Sequence, residues 1–245
     1  MGFLQEAPKI RIPKGAKEEK MMKGRPIVGE EHERMLAAVS KVAQAPYVPI
    51  WQHYLNGLWW SGLRLSESLG LSWDTSANVS VVMQPGYFPA LRFKPEGHKV
   101  RRAELIPCAP EFAEMLEQVP EEERFGRVFK LQSSGWHVGR YSDKHAGQII
   151  SKIGRAAGVV VDEATDKAAS AHDYRRAFGT RWAKRILPPA LKRLMRHKDI
   201  NTTLKYYVDS DVEDLAAELY AAVQRLNGNN SGNTSRKNPA FQREM

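Results

Sequence analysis

A histidine and an arginine three residues apart, His172 and Arg175, open a strongly basic stretch of the chain. At a helix start that spacing puts both side chains on one face. Free backbone N–H groups and the helix dipole already favour an anion there. The pair adds a titratable donor and a planar fork suited to phosphate oxygens. His197 follows Arg175 by 22 residues and Tyr206 follows His197 by nine, with Tyr207 next to it. Upstream, in WWSGLRLSESLGLSWD, Arg64 is set among Leu63, Leu65, Leu69 and Leu71. An arginine so surrounded needs an anionic partner, either Glu67 three residues on or a phosphate. Taken singly, each residue also has an ordinary structural explanation. H-x-x-R arises by accident on surfaces, and a tyrosine pair in a helix commonly buries one ring and exposes the other.

Charge points the same way. The 245 residues hold 37 Lys and Arg against 28 Asp and Glu, a net of +9. His172 to Lys205 alone holds ten Lys or Arg and two acids, while Glu111 to Glu123 holds six acids and no base. A solvated helical surface mixes its signs, so a face concentrating +8 suggests a polyanion such as nucleic acid. Other chemistries are excluded by what is missing from the sequence. It has no P-loop and no G-x-G-x-x-G motif, and no H-E-x-x-H or EF-hand spacing, so neither a nucleotide cofactor nor a metal is expected. The single cysteine, Cys108, rules out a disulfide framework. No apolar run is long enough for a membrane span and the N-terminus lacks a secretory h-region, which suggests a reduced cytoplasmic setting, associated with the nucleoid if DNA is the partner.

The elements that must position these residues read as mainly α with a small antiparallel β-sheet. Residues 1–25 mix Pro, Gly and Lys as a basic arm, residues 26–226 form one domain, and the Asn/Ser/Gly-rich residues 227–245 form a disordered polar tail. Helical spacing predicts helices over Glu30–Ala43, Val48–Ser61 and Leu65–Leu71. Strand-like runs follow at Val79–Met83, Ala90–Phe93 and Arg102–Ile106, with Arg127–Phe129 a further candidate. Helices are then expected over Pro110–Gln118, Asp143–Ala157, Asp173–Arg185, Pro188–Met195, Asn201–Tyr207 and Val212–Leu226, with Gly158 capping the second of these and Asn201 or Thr202 starting the fifth.

The blocks SGLRLSESLGLSWD, HDYRRAFGTRW and LMRHKDINTTLKYY agree in order and spacing with the tyrosine recombinase (phage integrase) family, and the chain resembles its catalytic domain over about residues 26–226. The resemblance implies a catalytic set of Arg64, His172, Arg175 and His197, with Tyr206 as nucleophile. A lysine from a β-hairpin completes that set. Lys99 lies eight residues before Pro107 and fits the family spacing, whereas Lys94 does not. The implied partner is double-stranded DNA, cleaved and rejoined through a 3′-phosphotyrosyl link without ATP or metal, by a self-associating tetramer. Two departures stand out. Arg196 occupies the position where the family usually has Gly, so that a phosphate contact or a crowded site is expected. Only about 25 residues precede the catalytic region, where family members carry a further helical domain. A type IB topoisomerase-like relaxing enzyme and a catalytically silent DNA-binding fragment remain alternatives. A helix-turn-helix regulator built on residues 188–207 is weaker, since nothing in it calls for Arg64.

Overall fold

The structure is a computed structural model, and it describes residues 24–95, 103–131 and 141–207. Helix α1 (Gly29–Ala38) continues into a 3₁₀ turn through Lys41, which accounts for the expected helix to Ala43. Helix α2 (Val48–Ser61) has Pro49 in its first turn, where a missing N–H costs nothing. Its apolar positions Trp51, Tyr54, Leu55 and Leu58 recur at helical spacing and are all at most 2% exposed. The helix stops at Gly62, in the left-handed region at φ 61°. A Cβ there would stand 2.3 Å from the Phe178 ring, so Gly62 is required for both its conformation and the closeness of its neighbour.

Short helix α3 (Leu65–Gly70) leads into a four-stranded sheet of β1 (Leu71–Ser72), β2 (Val79–Val82), β3 (Ala90–Phe93) and β4 (Glu104–Pro107), in that spatial order. The sheet is mixed. β1 runs parallel to β2, and the other pairs are antiparallel, with Leu91 opposite both Val81 and Ile106. Two-residue β1 is too short to read as a strand in sequence. Arg127 makes only an isolated bridge to Ser72 rather than a strand.

Helix α4 (Pro110–Glu117) and helix α5 (Asp143–Ala156) follow, the latter burying Ala146, Ile150 and Ile153 on one side and ending just before Gly158 at φ 66°. A small hairpin, β5 (Val160–Asp162) with β6 (Lys167–Ala168), was not expected from sequence because its strands are only two or three residues long. It is tied to the start of the chain, since Arg25 pairs with Glu31 at 2.6 Å and its backbone N–H donates to the Val161 carbonyl. Arg25, counted with the basic arm on composition, therefore packs on the body.

Helix α6 (Ala171–Ala183) begins two residues earlier than expected, because Ser170 and Asp173 form a capping box. Helix α7 (Pro188–Leu194) is followed by α8 (Ile200–Leu204). The N-cap of α8 is Asp199, whose carboxylate accepts from the Asn201 N–H at 3.0 Å, and neither Asn201 nor Thr202 takes that role. Residues 205–207 continue as a turn. The central packing is α2 against α6, where Tyr174, Ala177 and Phe178 are at most 1% exposed. The helix expected over Val212–Leu226 and the tail lie outside the described residues.

Candidate active site

Arg64 caps the start of α3. Its guanidinium donates to Glu67 at 2.6 Å and to the backbone carbonyl of Arg196 at 3.0 Å, while its side chain stays 38% exposed. Glu67 thus holds one end of the fork and the Arg196 carbonyl the other, while the exposed part of the side chain lines a cleft. That cleft, about 1150 Å³, is lined by Arg64, His172 and Arg175 together. The two residues of H-x-x-R thus meet the upstream arginine across more than a hundred residues of chain.

Arg175 is buried, and among the described residues it donates only to the carbonyls of Gly62 and Met195. Among the described residues it makes no direct ion pair. Burial lowers its pKa, and the neighbouring Arg196 and Arg64 lower it further. His172 is exposed on the cleft wall; the protein around it, and then the charge of Arg176, push its pKa down.

His197 follows the turn after α7. Its Nδ1 lies 2.9 Å from the Thr203 hydroxyl, and its ring stacks on Tyr206 at 5.9 Å between centroids. Burial, followed by the charges of Arg175, Arg64 and Arg196, lowers its pKa to about 3. Tyr206 packs against α6 at Gly179, where a Cβ would stand 2.7 Å from its ring. Gly179 is four residues past Arg175 and so on the same face of the helix. Burial raises the Tyr206 pKa, while Arg175 and Arg176 pull it down. Its hydroxyl makes no hydrogen bond among the described residues. The two tyrosines differ here, because the Tyr207 hydroxyl donates to the Ile186 carbonyl at 2.6 Å. Both rings are half-buried, so the expectation of one buried and one exposed ring does not hold.

Glu67 sits at the centre of the arginines. It is 8% exposed, and its second oxygen accepts from Arg196 at 2.6 Å and from the Arg64 backbone N–H at 2.8 Å. Burial alone raises its pKa, but Arg196, Arg64 and Arg175 outweigh that and hold the carboxyl near 2. In sequence Glu67 is legible only as a partner for Arg64, three residues away. Arg196 also departs from expectation, because its side chain turns inward and neither reaches the cleft nor crowds it.

The basic stretch is not one phosphate-facing surface. Arg175, Arg176 and Arg196 are buried, and Arg181 lies 3.6 Å over the Trp59 ring. The cleft's other cations are Lys144 and Lys152 on α5, with Arg155 paired to Asp166 at 2.9 Å and Lys167 on β6 paired to Asp173 at 3.4 Å; Asp143 and Asp166 line it too. The signal for the α5 residues was present, since 144, 148, 152 and 155 share one helical face, opposite the buried Ala146, Ile150 and Ile153. Lys99 lies outside the described residues, between β3 and β4. Lys94, at the end of β3, donates through Nζ to the Ser76 carbonyl at 2.7 Å. Among the described residues no three or more His, Cys, Asp or Glu side chains converge as metal ligands, and no helix is long and apolar enough to cross a membrane.

This mainly helical fold with its small sheet is that of tyrosine recombinase catalytic domains. The phage integrase family model matches residues 27–214, and the chain belongs to that family. Among solved structures it is similar to the Tn1549 transposon integrase in complex with transposon right-end DNA, at 17% identity and TM-score 0.53, covering 84% of this chain and 68% of that one. It is also similar to the catalytic domain of bacteriophage HP1 integrase, at 16% identity and TM-score 0.52, covering 82% and 95%. A third is the XerH site-specific recombinase bound to palindromic difH substrate, at 16% identity and TM-score 0.54, of which this chain spans 56%. A comparison with curated protein sequences finds no match. The chain is thus a tyrosine-type enzyme of DNA strand breakage and rejoining.

Proposed function

We propose that Tyr206 is the nucleophile and that Arg64, Lys99, His172, Arg175 and His197 serve its reaction on double-stranded DNA. The tyrosine oxygen attacks the scissile phosphorus in line. The bond from phosphorus to the 5′-oxygen breaks, leaving a 3′-phosphotyrosyl link and a free 5′-hydroxyl. Charge building on the non-bridging oxygens is met by Arg64 and Arg175. In the tautomer whose Nδ1 accepts from the Thr203 hydroxyl, 2.9 Å away, His197 offers Nε2–H as a further donor. A tyrosine with an ordinary pKa near 10 must lose its proton, and neutral His172 accepts it. Lys99 protonates the departing 5′-oxygen, whereas Lys94 already donates to a carbonyl. The covalent link conserves the bond energy, so resealing by a 5′-hydroxyl reverses these steps.

One observation carries this reading. Among the described residues Arg175 is a buried cation held by carbonyls alone, beside Arg64 and His172 in an open cleft, and that arrangement suits a bound phosphate. The cations of α5 and β6 extend the same cleft along a DNA backbone. Exchange between two duplexes requires paired cleavages, so the reading includes a tetramer on DNA and association with the nucleoid; family membership is its support.

The test is covalent capture on nicked duplex DNA, from which the cleaved fragment escapes. Wild type forms an adduct, Tyr206→Phe forms none while still binding DNA, and Tyr207→Phe retains it. Adduct loss in Tyr207→Phe alone moves the nucleophile to Tyr207. No adduct from wild type leaves a DNA-binding fragment without chemistry.

A further inference from the structure

The Arg196 backbone is at φ 54°, a region that glycine enters freely and other residues enter at a cost. A long, charged side chain at such a position needs a compensating role, and its contacts indicate one. The guanidinium is 1% exposed. It donates to Glu67 on α3 at 2.6 Å and to the Leu194 carbonyl at the end of α7 at 2.9 Å, and it lies 4.4 Å over the Phe93 ring on β3. Its Nε is buried without a hydrogen-bond partner, so these contacts are retained although one donor goes unsatisfied. The turn it fastens presents two carbonyls in succession, that of Met195 to Arg175 and that of Arg196 to Arg64, and then His197.

We infer that Arg196 is a positioning residue: by clamping Glu67 and the 195–197 turn to the sheet, it holds Arg64, Arg175 and His197 at a common phosphate. It touches no substrate, and it rests on the catalytic reading above. Its charge matters as well as its shape. Glu67 faces Arg64 from α3, Arg175 from α6 and Arg196 from the turn, and the charge of Glu104 on β4 also acts on Arg196. If Arg196 is removed, Glu67 draws more heavily on Arg64, the cation that also faces the cleft.

The full chain is tested with R196M, which removes the charge, R196G, which frees the backbone, and R196K, which keeps charge without the fork. Adduct formation on nicked DNA is expected to slow about 100-fold in R196M and R196G, a usual cost of displacing a catalytic group by an ångström. R196K should recover part of the loss, and DNA affinity should be unchanged in all three. In an E67Q background R196M should slow the reaction little further. A full additional loss there, weakened DNA binding, or wild-type rates in R196M and R196G each overturn the inference.

A second measurement does not depend on activity. Charged Glu67 contributes stability that is lost as pH falls from its ordinary value of 4.5 toward 2. The wild-type lead over R196M in thermal midpoint should therefore shrink across that window, and a lead independent of pH overturns the clamp. If wild type forms no adduct the catalytic reading fails, and this profile alone decides whether the clamp exists.

Discussion

Arg175 and Arg176 are neighbours on α6, both buried, and their surroundings are opposite in kind. Arg176 donates to Asp173, one turn earlier, whose other oxygen takes the Ser170 hydroxyl at 2.6 Å, the Ser170 N–H at 3.0 Å and Lys167 at 3.4 Å. That cluster is paired in the usual way of buried charge. A step of about 100° around the helix, Arg175 meets only carbonyls among the described residues, and the carboxylate that acts on its charge, Glu67, is already shared by Arg64 and Arg196. A buried cation without an acid is costly, and such perturbed groups concentrate where a ligand supplies the missing charge. Adjacent arginines of equal charge and burial thus divide into one paired with an acid and one held by carbonyls, and it is the second that the proposed reaction assigns to an anion.

Substituting each in turn tests that division most severely. Arg175→Ala should slow adduct formation by about 10³, within the range for losing a donor to developing oxyanion charge. Arg176→Ala should instead cost about 3 kcal/mol in chemical denaturation, because one oxygen of the buried Asp173 carboxylate loses its cation. The folded fraction of that variant should still form adduct at a near wild-type rate. Equal kinetic losses in both variants would erase the distinction.

A smaller kinetic effect separates charge stabilisation from proton transfer. Lys99→Ala should slow cleavage by roughly 10² or more, as general-acid losses do. With sulfur at the bridging 5′ position the leaving group needs no proton, so Lys99→Ala should recover on that substrate and Arg175→Ala should not. Recovery in neither variant would remove Lys99 from the acid role.

The surplus of cations should also show in pH dependence. The folded-state pKa of His197, about 3, lies below the unfolded value near 6.5, so the unfolded chain takes up the proton first. Its contribution is complete above pH 6.5 and drains away as pH falls from there toward 3. About 2 kcal/mol is expected, since water reaches part of the ring. Denaturation of wild type and His197→Phe between pH 4 and 7 measures it, and a constant gap between them would contradict it. In Arg175→Ala the His197 resonance should titrate at higher pH than in wild type, whereas Arg176→Ala should leave it nearly in place.

The mildest probe is Gly179→Ala. Alanine favours the helix by up to about 1 kcal/mol, yet its methyl would meet the Tyr206 ring and the Met195 sulfur at 2.7 and 2.9 Å. Adduct formation should fall about tenfold with stability little changed, about a tenth of an ångström-scale misplacement's cost. Unchanged kinetics would mean that Tyr206 does not use this seat.

The sequence by itself determined the class of the protein. Spacing along the chain is a local property, so the three blocks that hold Arg64, His172, Arg175, His197 and Tyr206 are legible without coordinates. So are long amphipathic elements such as α2 and α5, whose apolar period is strong, while β1 and the β5–β6 hairpin are too short to carry a period at all. The start of α8 at Asp199 was missed because several neighbouring residues can cap a helix equally well. Charge was the least legible property. A count of +8 over residues 172–205 does not say which guanidiniums are buried, and burial depends on what lies opposite. Only the tertiary structure decided that, among the described residues, Arg176 is matched by an acid and Arg175 by carbonyls, that Arg196 points inward to Glu67, and that Tyr207 is tied to a carbonyl while the Tyr206 ring packs on Gly179. Each of those outcomes is set by groups distant in sequence, and pairing across that distance is fixed by packing rather than by local pattern.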